Sequence, residues 1–280
     1  EFIRLVKKIK HKKLRYDCVI PVSGGKDSTW QTIKCLEYGL NPLAVTWKAP
    51  QRTKVGQDNL ENLISLGVDH IDWTINPKIE KKLTLESFKK FGSVAIPMHL
   101  AIFNIPVLVA SHFKIPYVIW GENSAVEYGN FSKKENEKIL TRKWFKNYGV
   151  TNNTEAKDWV SKSFSKNKLS SYFKYKTYSK DSYESKSIFL GYFFKWDPQK
   201  TFKISKKFGF KAGKKVKTGY YKFADIDDNF ISIHHWLKWY KFGFTRVFDN
   251  LSLEIRNKRI SKSKALKIIN SIGVKPPLED

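Results

Sequence analysis

The sequence predicts an α/β fold: a parallel β-sheet covered by helices, followed by a largely helical C-terminal region. Three observations carry that expectation. Short apolar runs alternate with longer helix-like segments, the pattern of a sheet buried on both faces. A glycine-rich turn, Ser23-Gly24-Gly25-Lys26-Asp27-Ser28, joins the first apolar run to a helix. Polar residues gather at three expected strand ends, Ser23–Ser28, Thr46–Trp47 and Gly121–Asn123, and ligands of such sheets bind beyond the carboxyl ends of the strands.

The elements follow in order. Residues 1–15 read as a basic helix with Phe2, Ile3, Leu5, Val6 and Ile9 on its apolar face. Asp17–Val22 is the first strand and Thr29–Tyr38 the helix after the turn. Leu43–Trp47 is the second strand, following Asn41-Pro42. Gln57–Leu66 is a helix stopped by Gly67. Ile71–Ile75 is a third strand and Ile79–Phe91 a helix. Met98–Lys114 is a helix interrupted at Pro106. Tyr117–Trp120 is the fourth strand. From Asn130 to Lys186 the periodicity fades and Lys, Ser, Asn and Tyr dominate. That stretch reads as a long insertion, partly helical around Glu155–Phe164: a lid, an oligomer arm or a surface excursion. Order resumes at Ile188–Phe193. Helices follow at Gln199–Phe208 and Asp228–Phe242, then a terminal helical region to Ile272, with Ser261 as an N-cap. The expected division is an α/β nucleotide-binding domain over residues 1–129, the insertion over 130–187, and a helical region over 188–280 that completes the substrate site.

Composition narrows the function classes. The chain has 280 residues, of which 41% are hydrophobic, enough for a real core. No apolar run reads as long enough to span a bilayer, and the start lacks the apolar segment of a signal peptide. Cys18 and Cys35 are the two cysteines, and both read as buried small hydrophobes, so neither a disulfide framework nor a cysteine zinc site is expected. These features point to the cytoplasm. The net charge of +26 has two readings: an anionic partner, or lysines dispersed over solvated faces.

The Ser23–Ser28 turn is where chemistry concentrates. A buried strand entering a glycine-rich turn and a helix N-terminus makes an anion site. Adjacent glycines let backbone N–H groups close on a phosphate, and Ser23, Ser28 and Lys26 add donors. Asp27 repels phosphate unless a Mg²⁺ ion bridges the two. The Walker pattern G-x-x-x-x-G-K-[ST] is not found. The wording instead resembles the PP-loop of ATP pyrophosphatases, which implies a HUP-like, adenine nucleotide alpha hydrolase-like domain using ATP and Mg²⁺.

Further stretches resemble the N-acetyl sugar amidotransferase family. They are Tyr16–Ser28, Asn59–Ile64 with Leu66–His70, Ile115-Pro116, Ile119-Trp120-Gly121-Glu122-Asn123 with Glu127-Tyr128-Gly129, Asp227–Phe230 with His234-His235, and Lys241–Phe244. The resemblance implies conversion of a sugar acetamido group to an acetamidino group, through an adenylated intermediate and ammonia. It places that reaction in bacterial surface glycan pathways such as lipopolysaccharide O-antigen or nonulosonic acid synthesis. It implies a nucleotide-linked or nonulosonic acetamido sugar as substrate, and a separate glutaminase with a cyclase-like partner as ammonia source. Many members carry cysteine pairs that this chain lacks.

On this reading Ser23, Gly24, Gly25 and Ser28 cradle the phosphates, Lys26 stabilises charge as the α–β bond breaks, and Asp27 holds Mg²⁺. Gly121 joins the nucleotide site. Thr46 and Trp47 border the adenine, or Trp47 packs in the core. Glu122 ligates Mg²⁺, touches substrate or caps a helix. Asn123 orients a substrate group. His99 serves substrate or structure. Of His234 and His235, adjacent on a helix, one reaches the site while the other packs. Asp227 and Asp228 read as helix-start charges. Two other classes compete: a PP-loop enzyme of tRNA modification, favoured by charge, and a regulatory module that binds nucleotide without turnover.

Overall fold

Strands that are apolar without alternation must be covered on both faces, and helices do this here. The computed structural model describes residues 1–10, 14–127, 138–173 and 183–272. The elements are α1 (Phe2–Lys10), β1 (Cys18–Pro21), α2 (Lys26–Glu37), β2 (Pro42–Trp47), α3 (Lys54–Ile64), β3 (Asp69–Trp73), α4 (Pro77–Phe91), α5 (Ala95–His112), β4 (Tyr117–Trp120), α6 (Ser124–Glu127), α7 (Arg142–Tyr148), β5 (Lys186–Phe189), α8 (Pro198–Lys207), α9 (Phe230–Phe242), α10 (Arg246–Arg256) and α11 (Lys262–Ile272).

The five strands form one sheet in the order β3-β2-β1-β4-β5, each neighbouring pair parallel. The order reverses between β1 and β4, so a crevice opens beyond their carboxyl ends. The Ser23–Ser28 turn follows one of these strands and Gly121 the other. Successive side chains alternate faces. Val19, Leu43, Val45 and Val118 pack toward α5, while Cys18, Ile20, Ala44 and Ile119 pack with residues of α1, α2 and α3.

Several boundaries differ from expectation. The helix after the turn begins at Lys26 rather than Thr29, so Lys26 and Asp27 form its first turn. The fifth strand starts inside the expected insertion. Helix α5 runs through Pro106 without interruption. It is long and apolar enough by length and composition to cross a membrane, contrary to the sequence reading, but 67% of it is buried inside this protein, as the cover of the sheet.

The expected surface excursion does not hold for residues 138–173. Trp144, Phe145, Trp159, Phe164, Leu169 and Tyr172 are buried and join the same core as α5. Their spacing follows one short helix and two 3₁₀ turns, so no helical or strand period shows in the sequence. Parts of the expected insertion, residues 130–137 and 174–182, lie outside the described residues, as do the Tyr128-Gly129 pair and residues 11–13 of the first expected helix, whose last two residues, Leu14 and Arg15, are not helical.

The C-terminal region is sewn onto the sheet domain. Thr53 N donates to Asp227 O at 3.0 Å and Asn229 N to Gln51 O at 3.0 Å. Gly56 permits this approach, since a Cβ there would sit 2.7 Å from Asp227 Cα. Helix α11 is preceded by the expected cap, with Lys264 N donating to Ser261 Oγ at 3.2 Å.

Trp144 tests the packed status of the insertion. Its ring lies 4.8 Å from that of Phe189, and its Nε1 donates to Asn123 Oδ1 at 3.0 Å. Trp144→Ala is expected to cost about 3–5 kcal/mol in urea denaturation. A surface excursion would lose no more than about 0.5 kcal/mol.

Candidate active site

Only glycine fits where the loop leaves β1. Gly24 has φ +89°, and a Cβ there would lie 2.7 Å from Leu60 N on α3. The loop then folds on itself. Gly25 N donates to Ser23 Oγ at 3.3 Å, and Ser28 Oγ donates to Gly25 O at 3.0 Å. No side chain caps α2 at Gly25, so its first N–H groups are available to an anion.

Lys26 and Asp27 do not project into solvent. Lys26 is buried and ion-paired with Asp27. Its ammonium also lies 5.6 Å from the ring centres of both Trp196 and Phe223. Asp27 Oδ1 accepts from Trp196 Nε1 at 2.9 Å and from Thr201 Oγ1 at 3.1 Å. Ser205 Oγ donates to Lys26 O at 2.7 Å. The C-terminal region therefore holds both motif charges in place.

The resulting cleft has a volume of about 410 Å³. Ser23, Gly25, Lys26, Asp27 and Ser28 form one end. Asp225, Asp227, Asp228, Arg246 and Arg52 also line the cleft, and Ser23 hydrogen-bonds to Asp227. Burial would raise the Asp225 carboxyl, but His235 and Arg246 pull it below the usual carboxylate range. Burial outweighs a hydrogen bond from Ser23 and keeps Asp227 raised. Burial also pushes Asp228 up to about 6.

The structure brings most of the expected residues together. Gly121 and Glu122 line this cleft, as do Thr46, Trp47 and His99. Thr46 is committed to the sheet: its hydroxyl donates to Val22 O at 2.8 Å and accepts from His70 Nε2 at 2.8 Å. Gly24 supports the loop from behind. Asn123 is buried, and its Oδ1 accepts from Trp144 Nε1 and, at 3.1 Å, from Ala125 N. His235 packs away, with Nδ1 2.9 Å from Thr218 Oγ1.

A second cleft of about 630 Å³ adjoins the first and shares Trp47, Ala49 and Met98 with it. Its walls are mainly apolar, including Ile75, Leu85, Phe88 and Phe230. His234 lines it, and so does Glu80, whose Oε1 accepts from Trp47 Nε1 at 2.8 Å. Burial raises Glu80 to about 7 against the Trp47 hydrogen bond, with the Asp228 charge adding to the rise. Glu80, Asp225, Trp196, Phe223, Arg52 and Arg246 were not singled out in the sequence. Trp196 and Phe223 sit in aromatic-rich stretches that gave no site signal. Asp227 and Asp228 were read as helix-start charges, yet with Asp225 they form an acidic wall of the first cleft.

Among the described residues, no group of three or more His, Cys, Asp or Glu converges as a metal site. Both Asp27 oxygens are engaged by protein donors. Asp27 and Glu122, the expected metal ligands, both line the cleft, and no step below runs through a metal.

Residues 195–277 match the family model described as "LPS biosynthesis protein WbpG-like, C-terminal domain". That segment contains Trp196, Thr201, Ser205, Phe223 and the acidic wall. Among solved structures the chain is similar to NMN synthetase from Francisella tularensis, at 22% identity and TM-score 0.34, covering 48% of this chain and 59% of that one. It is also similar to a subunit of tRNA methyltransferase from Methanocaldococcus jannaschii, at 23% identity and TM-score 0.28, covering 42% of this chain and 58% of that one. The chain thus spans less than two thirds of either structure. No curated protein matches.

Glu80 gives a pH test of the seam between the clefts. Its folded value near 7 exceeds its ordinary value of 4.5, so the folded state favours the proton. That contribution to stability is complete below about pH 4.5 and lost as pH rises through about 7. Glu80→Gln keeps an acceptor for Trp47 and cannot ionise. Its thermal midpoint is expected to exceed that of the wild type at pH 8 by about 2–4 °C per kcal/mol relieved, with little difference at pH 4.5. Equal midpoints at both pH values would show that Glu80 ionises freely.

Proposed function

We propose that this chain is an ATP-using enzyme of lipopolysaccharide biosynthesis, converting a sugar acetamido group to an acetamidino group through an adenylated intermediate and ammonia. One observation carries the reading. The segment matched to the lipopolysaccharide-biosynthesis family model closes directly over the glycine-rich loop, through Trp196 and Thr201 on Asp27 and Ser205 on Lys26. Loop and matched segment build one cleft.

An amide oxygen is a poor leaving group. Adenylation makes it part of AMP, which departs readily, and ammonia then takes its place on carbon. The loop end receives the phosphates on the N–H groups of Gly25 and α2, with Ser23 and Ser28 as further donors. Lys26 exchanges its pairing with Asp27 for the phosphate charge. A Mg²⁺ ion, where bound, would be held by Asp27 and Glu122 and would supply charge neutralisation. The acidic wall faces the opposite need, because the nitrogen nucleophile and the amidino product are both cationic when protonated. The apolar second cleft takes the acetamido sugar, with Trp47 bordering both ligands.

Ammonia rather than glutamine is the nitrogen source for this chain. Cys18 and Cys35 are both free and fully buried. Hydrogen bonding with Cys35 and burial push the Cys18 thiol up, the opposite of what a nucleophile needs. A glutaminase with a cyclase-like partner supplies ammonia in the proposed pathway. The rival reading of tRNA modification draws on the +26 charge, but the cleft wall of Asp225, Asp227 and Asp228 is poorly suited to a polyanion.

The test is a mass-spectrometric screen of UDP- and CMP-linked acetamido sugars with ATP, Mg²⁺ and ammonium. The expected product is about 1 Da lighter, because NH replaces oxygen while AMP departs. Glutamine alone is expected to give no product, and RNA that copurifies and is modified would favour the rival. Lys26→Ala and Asp27→Asn are each expected to lower pyrophosphate release by about 100- to 1000-fold. Turnover near the wild-type rate in either variant would remove the loop from the mechanism.

A further inference from the structure

We propose that His99 is the base that takes the proton from the incoming nitrogen nucleophile; the proposal rests on the amidination reading above. Its geometry is fixed by the helix that carries it. His99 lies one turn into α5, and its Nδ1 is 2.8 Å from the carbonyl oxygen of Ala95. A carbonyl can only accept, so Nδ1 bears the hydrogen. In the neutral ring the lone pair then falls on Nε2. The imidazole lines the first cleft together with Lys26 and Glu122. The preceding residue, Met98, lines both clefts. His99 therefore stands at the seam where the nucleotide side and the acceptor side meet, which is where the reacting carbon must lie.

The surroundings keep the ring uncharged. Burial lowers the affinity of His99 for a proton, and the Ala95 carbonyl restores only part of it. The titratable group facing it from another element is His234 on α9, with ring centres 6.1 Å apart. Burial, then His235 and His99, hold His234 well below the ordinary imidazole range. Two neutral imidazoles thus stand side by side, His99 lining the first cleft and His234 the second. Glu80, the other group that titrates near neutrality, lies in the second cleft and is tied to Trp47.

The chemistry needs such a base. Ammonia adds to the adenylated carbon: a nitrogen–carbon bond forms as the π pair of the protonated C=N bond moves onto the sugar nitrogen, and the incoming nitrogen becomes positively charged. Its proton passes to His99 Nε2. The carbon–oxygen bond to AMP then breaks, and the electron pair leaves with the AMP phosphate. The former amide oxygen departs on AMP, and the imidazolium returns its proton to solvent.

The experiment compares wild type and His99→Gln with the acetamido nucleotide sugar found in the screen, following pyrophosphate, the ammonium-dependent product and the product with hydroxylamine. Hydroxylamine is uncharged at neutral pH and a stronger nucleophile, so it depends less on a base. The variant is expected to keep pyrophosphate release and the hydroxylamine product, and to lose ammonium-dependent product about 100-fold or more at pH 7. That loss is expected to shrink as pH rises. Ammonium turnover at the wild-type rate would overturn the proposal and leave the amidination reading standing. Equal loss of pyrophosphate and product would also overturn it, since His99 would then serve adenylation. If the wild type forms no amidino product from any acetamido sugar, the reading itself fails and the proposal with it. A measurement independent of the variant is ¹⁵N NMR of histidine-labelled wild type. The expected signal is a neutral Nδ1–H tautomer at pH 7 for His99. A charged ring or an Nε2–H tautomer there would overturn the assignment even if the variant failed to fold.

Discussion

The clasp of α8 on the first turn of α2 is the interaction on which the site depends. Lys26 and Asp27 are adjacent, oppositely charged and mostly enclosed. A buried charge pair is tolerated only when its remaining hydrogen-bonding capacity is met. Here Trp196 and Thr201 meet it on Asp27, and the Trp196 and Phe223 rings flank the Lys26 ammonium. Hydrogen bonds to a charged group contribute about 1.5–3 kcal/mol each, more than neutral ones. The clasp is itself held from behind. Asp197 caps α8 through Gln199 N at 3.0 Å, and Arg259 donates to Asp197 at 2.9 Å. Arg259 also makes two bonds to Glu254, at 2.6 and 2.8 Å. Burial would raise Asp197, but the Arg259 guanidinium pulls it below its ordinary value. The glycine-rich loop is therefore positioned through successive charged contacts reaching back to α10.

Charge in this molecule is divided by place. The chain as a whole is strongly basic, yet one wall of its principal cleft carries three aspartates. The loop offers backbone N–H groups, two hydroxyls and one lysine rather than a dense cationic patch. A helix N-terminus delivers partial positive charge in a fixed direction, so it can sit beside carboxylates such as Asp227 and keep its own field. Salt screens exposed lysines within about 8 Å at physiological ionic strength, so the dispersed surface charge has little say inside the cleft.

The sheet and the loop were legible because local patterns determine them. Unbroken apolar runs at Cys18–Pro21, Pro42–Trp47 and Tyr117–Trp120 can only be buried strands, and Gly24 marks a left-handed turn against α3. The packed part of 138–173 was not legible, because single aromatics such as Trp144 and Tyr172 enter the core from short turns that have no period. The first residues of α2 were also misplaced. Glycine lowers helix propensity, and the signal for a start at Lys26 lies in Trp196, Thr201 and Ser205, all distant in sequence. The acidic wall was visible as Asp227-Asp228, but its role depends on Gly56 allowing backbone contact that no sequence spacing encodes. His234 and His235 divided as adjacent helical positions must, one lining the second cleft and the other packing on Thr218.

The seam between the clefts shows how one physical cause acts on opposite chemical types. Burial disfavours whichever form is charged, so it raises acids and lowers bases. Glu80 is raised to about 7 while His99 and His234 are lowered. Acid and base are thereby both drawn toward their uncharged forms at neutral pH. The same bias applies to anything that enters: an apolar wall of Met98, Phe88 and Phe230 favours a neutral amine over its cation. Ammonium is the dominant form in water at neutral pH, so in the proposed reaction such a setting would admit the minor species and keep a neutral imidazole near the proton that appears after attack. Burial acts on the neighbouring carboxylates in the same sense, bringing Asp228 to about 6 and raising Asp227, while His235 and Arg246 hold Asp225 low against it. Lys26 and Asp27, by contrast, are ion-paired with each other and clasped by Trp196, Thr201 and Ser205.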